Sequence, residues 1–239
     1  MSNHQTLNTQ DHAELRVHTD AGAHYGDAVM ASLVVPQEFR QVQGDYPILF
    51  RRNDDGSGTT ALALFGFENG ENLFLDGDTW DARYRPLAMA IQPFLVGRPR
   101  EEGGDPQIHI DMDHPRISTS GEGTRVFDAD QRPTPYLEGI NDRLGALHAW
   151  YSESGAFFAA LDRYELLEPF SLDVPLSNGS RSSLVGYHII DEEKLKSLDG
   201  AALEELHRAD MLLPIFMALA SLSQLSQLIA RKDKKESLG

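Results

Sequence analysis

The stretch Asp45–Asp76, DYPILFRRNDDGSGTTALALFGFENGENLFLD, decides the fold class. It holds three short apolar runs separated by residues that reverse a chain. In the first, Tyr46 to Arg51, the side chains of Tyr46, Ile48 and Phe50 alternate onto one face, and Asn53-Asp54-Asp55-Gly56-Ser57-Gly58 ends it. The second runs from Thr59 to Phe67. Asn69-Gly70 then precedes Leu73-Phe74-Leu75, and both residues tolerate the positive φ of a type I′ turn. The reading is an antiparallel β-meander, closed by Asp76-Gly77-Asp78.

Working outward, Arg98 to Gln107 is charged and rich in Gly and Pro, which predicts a surface loop that could separate two subdomains. Ile108 to Met112 alternates strictly, placing Ile108, Ile110 and Met112 on one face of a strand and His109, Asp111 and Asp113 on the other. From Thr134 the period changes. Leu137, Ile140, Leu144, Leu147 and Tyr151 form one helical stripe, with Thr134 as cap and Pro135 in the first turn. A second helix is expected to begin near Ser154, followed by strands over Phe170–Val174 and Leu184–Ile190. Asp191 reads as a helix cap, in preference to Glu192 and Glu193 acting as a paired acid and base. The closing helices end in a long one opened by Asp210, in which Pro214 falls early enough to be tolerated. The fold class is therefore α+β, an antiparallel β-meander and further short strands packed with C-terminal helices. The expected layout is a disordered polar leader over 1–28, one domain over 29–230 and a basic tail over 231–239.

Composition narrows the function. Lys and Arg number 21 against 37 Asp and Glu, a formal charge of −16, so the chain lacks the basic excess that would displace counterions from nucleic acid. Cys is 0, which removes disulfides, thiolate metal sites and cysteine nucleophiles and leaves the cytoplasm as the expected compartment. No secretory h-region opens the sequence. A phosphate loop, a dinucleotide fingerprint and a Gly-x-Ser-x-Gly elbow are all missing, so no cofactor is expected.

Four features remain as candidates. Trp80, Arg83, Tyr84 and Arg85 combine aromatic anchors with local positive charge, a recognition patch for an anionic small ligand. Met211 to Ala230 has no charge, yet Ser221, Ser223, Gln224, Ser226 and Gln227 argue against a span in hydrocarbon. Its stripe Leu219, Leu222, Leu225, Ile229 suits a core or a protein partner instead. His109, Asp111, Asp113 and His114 form the densest set of possible metal ligands, the basis of an alternative reading as a metal-dependent enzyme. The basic residues after Ala230 allow a further alternative, peripheral binding to a membrane surface.

Several landmarks in their order resemble the SapC family, named after a protein encoded at a bacterial surface-layer locus. They are Asp45-Tyr46-Pro47-Ile48, Asn72-Leu73-Phe74, Trp80, Tyr84-Arg85-Pro86, Pro93-Phe94, Ile110-Asp111, Phe127-Asp128, Ile189-Ile190-Asp191-Glu192 and Ser221-Leu222. The chain departs from the family at Ala90-Ile91-Gln92, where relatives carry basic residues, and near Met217, where they carry a His. The resemblance implies a bacterial protein, often encoded near outer-membrane uptake receptors, halogenase-like proteins or cupin-type oxygenases. It transfers no catalytic residue. Together the readings point to a non-enzymatic accessory or binding protein that engages a protein partner or an anionic small ligand.

Overall fold

The computed structural model describes residues 3–53, 56, 58–97, 107–176, 179 and 181–238. Its strands are β1 (His4–Thr6), β2 (Arg16–Val17), β3 (Ala31–Val34), β4 (Ile48–Arg52), β5 (Thr59–Leu64), β6 (Leu75–Asp76), β7 (Thr79–Trp80), β8 (Phe94–Gly97), β9 (Gln107–Asp111), β10 (Thr124–Arg125), β11 (Leu167–Pro175) and β12 (Arg181–Ile190). The helices are α1 (Thr9–His12), α2 (Phe39–Val42), α3 (Leu87–Ala90), α4 (Pro135–Arg163), α5 (Glu192–Lys196), α6 (Gly200–Arg208), α7 (Leu212–Ser221) and α8 (Gln224–Leu238). The α+β class holds, with antiparallel sheets throughout. The chain forms two compact units, one of residues 1–28, 75–80 and 87–149, the other of 29–74, 81–86 and 150–239. The loop expected over Arg98–Gln107 lies outside the described residues, except Gln107.

The first unit is built on a three-stranded sheet in the order β1-β9-β8. Ile110 and Phe94 face a core with Val17, Ile91, Val126 and Phe127, sealed by Leu137, Ile140 and Leu144 of the first half of α4. Thr134 Oγ1 accepts from the Leu137 N–H at 3.4 Å, as expected of the cap. Residues 4–25, within the expected leader, include β1, α1 and β2. His4–Thr6 pairs with His109–Asp111, and Asn8 caps α1 through the N–H groups of Gln10 and Asp11. A buried guanidinium organises the segment after β2: Arg116 donates to the carbonyls of His18 and Asp20, each at 2.8 Å, and to both oxygens of Asp27 at 2.8 and 2.7 Å. Asp27 also accepts from the Gly22 N–H at 3.0 Å. A largely polar segment is thus held by charge and backbone bonds beside the buried Val17 and Ala21.

The second unit centres on a five-stranded sheet in the order β11-β12-β4-β5-β3. The first two meander strands pair as expected, from Ile48↔Ala63 to Arg52↔Thr59. The third does not join them. Asn69-Gly70 does form a turn, closed by the Glu71 N–H on the Glu68 carbonyl at 3.0 Å, but only Gly70 takes positive φ, at 80°. The turn is therefore not type I′ and joins no ladder, because the buried Glu71 carboxylate captures the Phe67 N–H at 2.9 Å. β3 pairs with β5 instead.

The helical expectations divide similarly. Gly155 does not break α4, so the second helix expected near Ser154 is its continuation. Asp191 caps α5, its carboxylate accepting from the Lys194 N–H at 2.8 Å. Asp210 opens no helix. It sits in the left-handed region at φ 55° and ends α6, with the Met211 N–H on the Leu206 carbonyl and the Asp210 N–H on that of His207. Pro214 is accommodated in the first turn of α7.

Candidate functional site

An open apolar surface of the second unit lies on α7. Its sequence, LLPIFMALAS, carries no charge and is apolar all round, yet only one side is covered. Ile215, Ala218 and Ser221 are buried, whereas Leu213 is 53% and Phe216 48% exposed. Beside Leu213 lies a groove of about 680 Å³. Ala156, Phe157, Met211, Leu213 and Met217 give it an apolar lining, and Gln37, Arg40, Gln41, Glu153, Ser154 and Asp210 are its polar residues. Each wall has a local cause. Pro36–Glu38 turns as a 3-10 helix into α2, with Glu38 buried and accepting from the Val35 N–H and the Tyr84 hydroxyl. Phe157 is held edge-on against Phe39 at 5.9 Å. The left-handed turn at Asp210 carries the chain from α6 into α7. Gln37 donates to Glu153 at 3.1 Å, while Arg40 has no side-chain partner among the described residues.

The stripe read from sequence is displaced. Leu219, Leu222, Leu225 and Ile229 are each half-buried, beside a buried line that runs through Ile215, Ala218, Ser221, Leu228 and Lys232. Ile215, Ala218 and Ser221 before the turn at Leu222 and Ser223, and Leu228 and Lys232 after it, keep one line, so the packed side is rotated from the leucine stripe. At the break, Ser221 Oγ donates to the Ala218 carbonyl at 2.5 Å and accepts from the Ile48 N–H at 2.8 Å, supplying β4 with a partner. The apolar composition of residues 212–217 was the signal that could have located the open face.

By length and composition, Leu212–Ser237 is the one stretch among the described residues apolar enough to cross a membrane, its most apolar 18-residue window having mean hydropathy 1.6. Its C-terminal part is fastened by charge. Lys232 is buried and donates to Glu68 at 3.0 Å and Glu71 at 2.9 Å, and pairs with Glu236 at 3.0 Å. Burial alone would lower its pKa, but these three carboxylates outweigh that and raise it. In return, the Lys232 hydrogen bond holds Glu68 below the usual carboxylate range. Arg231 reaches Asp81 at 2.8 Å and lies over the Phe74 ring at 4.5 Å. The expected basic tail is therefore the end of α8, with Arg231 and Lys232 neutralised internally.

The recognition patch is divided. Trp80 belongs to the first unit, in β7 opposite Leu75, while Arg83, Tyr84 and Arg85 belong to the second. Arg83 donates to Asp45 at 3.1 Å and to the Gly44 carbonyl at 2.8 Å. Tyr84 is fixed at both ends, its N–H on Asp45 and its hydroxyl on Glu38 at 2.7 Å. These groups are used by the fold.

The metal candidates are also committed elsewhere. β9 is the central strand of its sheet, where the His109 ring covers Gly97 so closely that a Cβ there would meet it at 2.0 Å. His109 Nε2 lies 3.3 Å from Thr6 Oγ1, and Asp111 accepts from the N–H groups of Asn3 and Asp113. His114 turns away and accepts the Arg116 N–H at 3.1 Å. Burial, then the Arg116 charge, hold its pKa below the usual imidazole value. Among the described residues, no three of His, Asp and Glu gather where they could hold a metal ion.

The family landmarks converge on the scaffold. Asp45 receives Tyr84, the Tyr46 hydroxyl donates to the Tyr84 carbonyl at 2.5 Å, Asp128 accepts from the N–H groups of Asp130 and Arg132, and Ser221 supports β4. The SapC family model matches residues 7–228. The chain belongs to the SapC family. Comparison with curated proteins and with solved structures gave no match. In this SapC-family chain the landmark side chains thus clamp loops and helix ends, and the groove beside α7 is formed largely by other residues.

Proposed function

We propose that this SapC-family protein is a non-enzymatic accessory protein that binds a partner protein through the open face of α7 and the groove beside it. One observation carries the reading: an uncharged helix leaves Leu213 and Phe216 half-exposed next to an apolar groove of about 680 Å³. A concave apolar site with a few polar groups is the usual form of a binding surface. The reading as an anionic-ligand site is weaker, since Arg83 is already matched by Asp45. A membrane-surface role loses Arg231 and Lys232 to internal carboxylates. The family association makes components of surface or uptake systems the partners to seek first, and the zero-cysteine composition suits a reducing compartment.

The test is affinity purification from the native host with the wild type and with Leu213→Asp/Phe216→Asp. The double variant is expected to remain folded, because both side chains are half-exposed, and to lose the partner. Undiminished recovery of the same partner would refute this surface.

A further inference from the structure

The chemistry of the groove says more about its occupant. We infer that it receives a basic amphipathic helix of the partner protein, an inference that rests on the binding reading above.

Two contrasts on the molecule support this. The first is between floor and rim. Phe157, Met211, Leu213 and Met217 offer apolar contact, and Leu213 and Phe216 extend that contact along one turn of α7. Side chains at i, i+3 and i+4 of an incoming helix suit such a lining, whereas an extended strand would need free backbone donors and acceptors that a helical wall cannot offer. The second contrast is of charge. Glu153 stands on the α4 wall and Asp210 on the α6–α7 turn. Glu153 has one hydrogen bond, from Gln37, and Asp210 makes no ion pair among the described residues. Both retain acceptor capacity for Lys or Arg.

The net charge of −16 acts in the same direction. It attracts a cationic segment, repels a second copy of the chain and repels an anionic membrane. Arg40, on the α2 wall, then meets an acidic side chain or the carbonyl end of the incoming helix.

The probe is a synthetic Leu/Lys peptide of about 18 residues, long enough to hold helix when bound, with Leu on one face. Its binding is read by fluorescence anisotropy at physiological salt. Two peptides serve as controls: the same residues shuffled to abolish the face, and a Leu/Glu counterpart. The amphipathic Leu/Lys peptide is expected to bind at least roughly tenfold more tightly than either. Leu213→Asp should weaken it by roughly tenfold, although that variant adds negative charge, so attraction to the surface at large predicts the opposite change. Glu153→Lys should weaken it and flatten its salt dependence. Equal binding of the shuffled peptide, tighter binding of the Leu/Glu peptide, or no binding of the Leu/Lys peptide would each overturn the inference. Failure here is distinguishable from failure of the binding reading. If the native partner is lost on Leu213→Asp/Phe216→Asp but the Leu/Lys peptide does not compete for it, the surface stands and the basic helix does not.

Discussion

Arg116 in the first unit and Lys232 in the second are both buried cations, and each recruits a segment that looks dispensable in sequence. They do so differently. The Arg116 guanidinium spreads its donors over two backbone carbonyls and both oxygens of Asp27, so one neutral pair closes the loop from His18 to Asp27. Lys232 is a point charge shared among three carboxylates, of which Glu71 is buried and Glu68 is largely exposed. A planar fork can satisfy backbone and carboxylate at once, whereas an ammonium collects anions. The contrast implies that the first lock is all-or-none and the second is graded.

Breaking the first lock should have the largest effect. Asp27→Ala leaves a buried guanidinium uncompensated and is expected to cost about 3–5 kcal/mol, read by chemical denaturation. A loss no greater than that of a surface substitution would show that solvent reaches Arg116. Lys232→Met should cost less, about 2 kcal/mol, since Glu68 and Glu236 can turn to water while Glu71 keeps its bond to Phe67. Equal costs for the two variants would erase the proposed difference.

The smallest effect is a pH dependence. His114 has its pKa depressed below the ordinary value of 6.5, by burial and then by Arg116. The unfolded chain therefore binds the extra proton first. The stability is fully present above the unfolded value and declines as pH falls through the folded one. The thermal midpoint should drop between about pH 7.5 and about pH 5.5, and drop less in His114→Asn. An unchanged drop would assign the acid sensitivity to other groups.

Legibility followed the range of the interaction. Thr134 and Asp191 are caps whose partners lie three residues away, so sequence was enough to find them. The order in the leader depends on β9, where the contact from Thr6 to His109 spans 103 residues, and no local pattern announces it. Asn69-Gly70 is a turn, as its residue types demand, but the consequence of that turn was decided by Glu71 meeting Phe67 and Lys232. The candidate site suffered most. Arg83 and Tyr84 look available in sequence because Asp45 and Glu38 lie 38 and 46 residues away. The stripe Leu219, Leu222, Leu225, Ile229 assumed that the leucine-rich side is the one that matters, whereas packing buries the side through Ile215, Ala218 and Ser221 and leaves Leu213 and Phe216 open.

By itself, the amino-acid sequence determined the α+β class, the charge of −16 and the family, because periodicity, net charge and landmark order are properties of the chain alone. Tertiary structure decided which charges are spent and which apolar face is left uncovered. Both depend on what is buried against what, and burial exists only once distant segments have met.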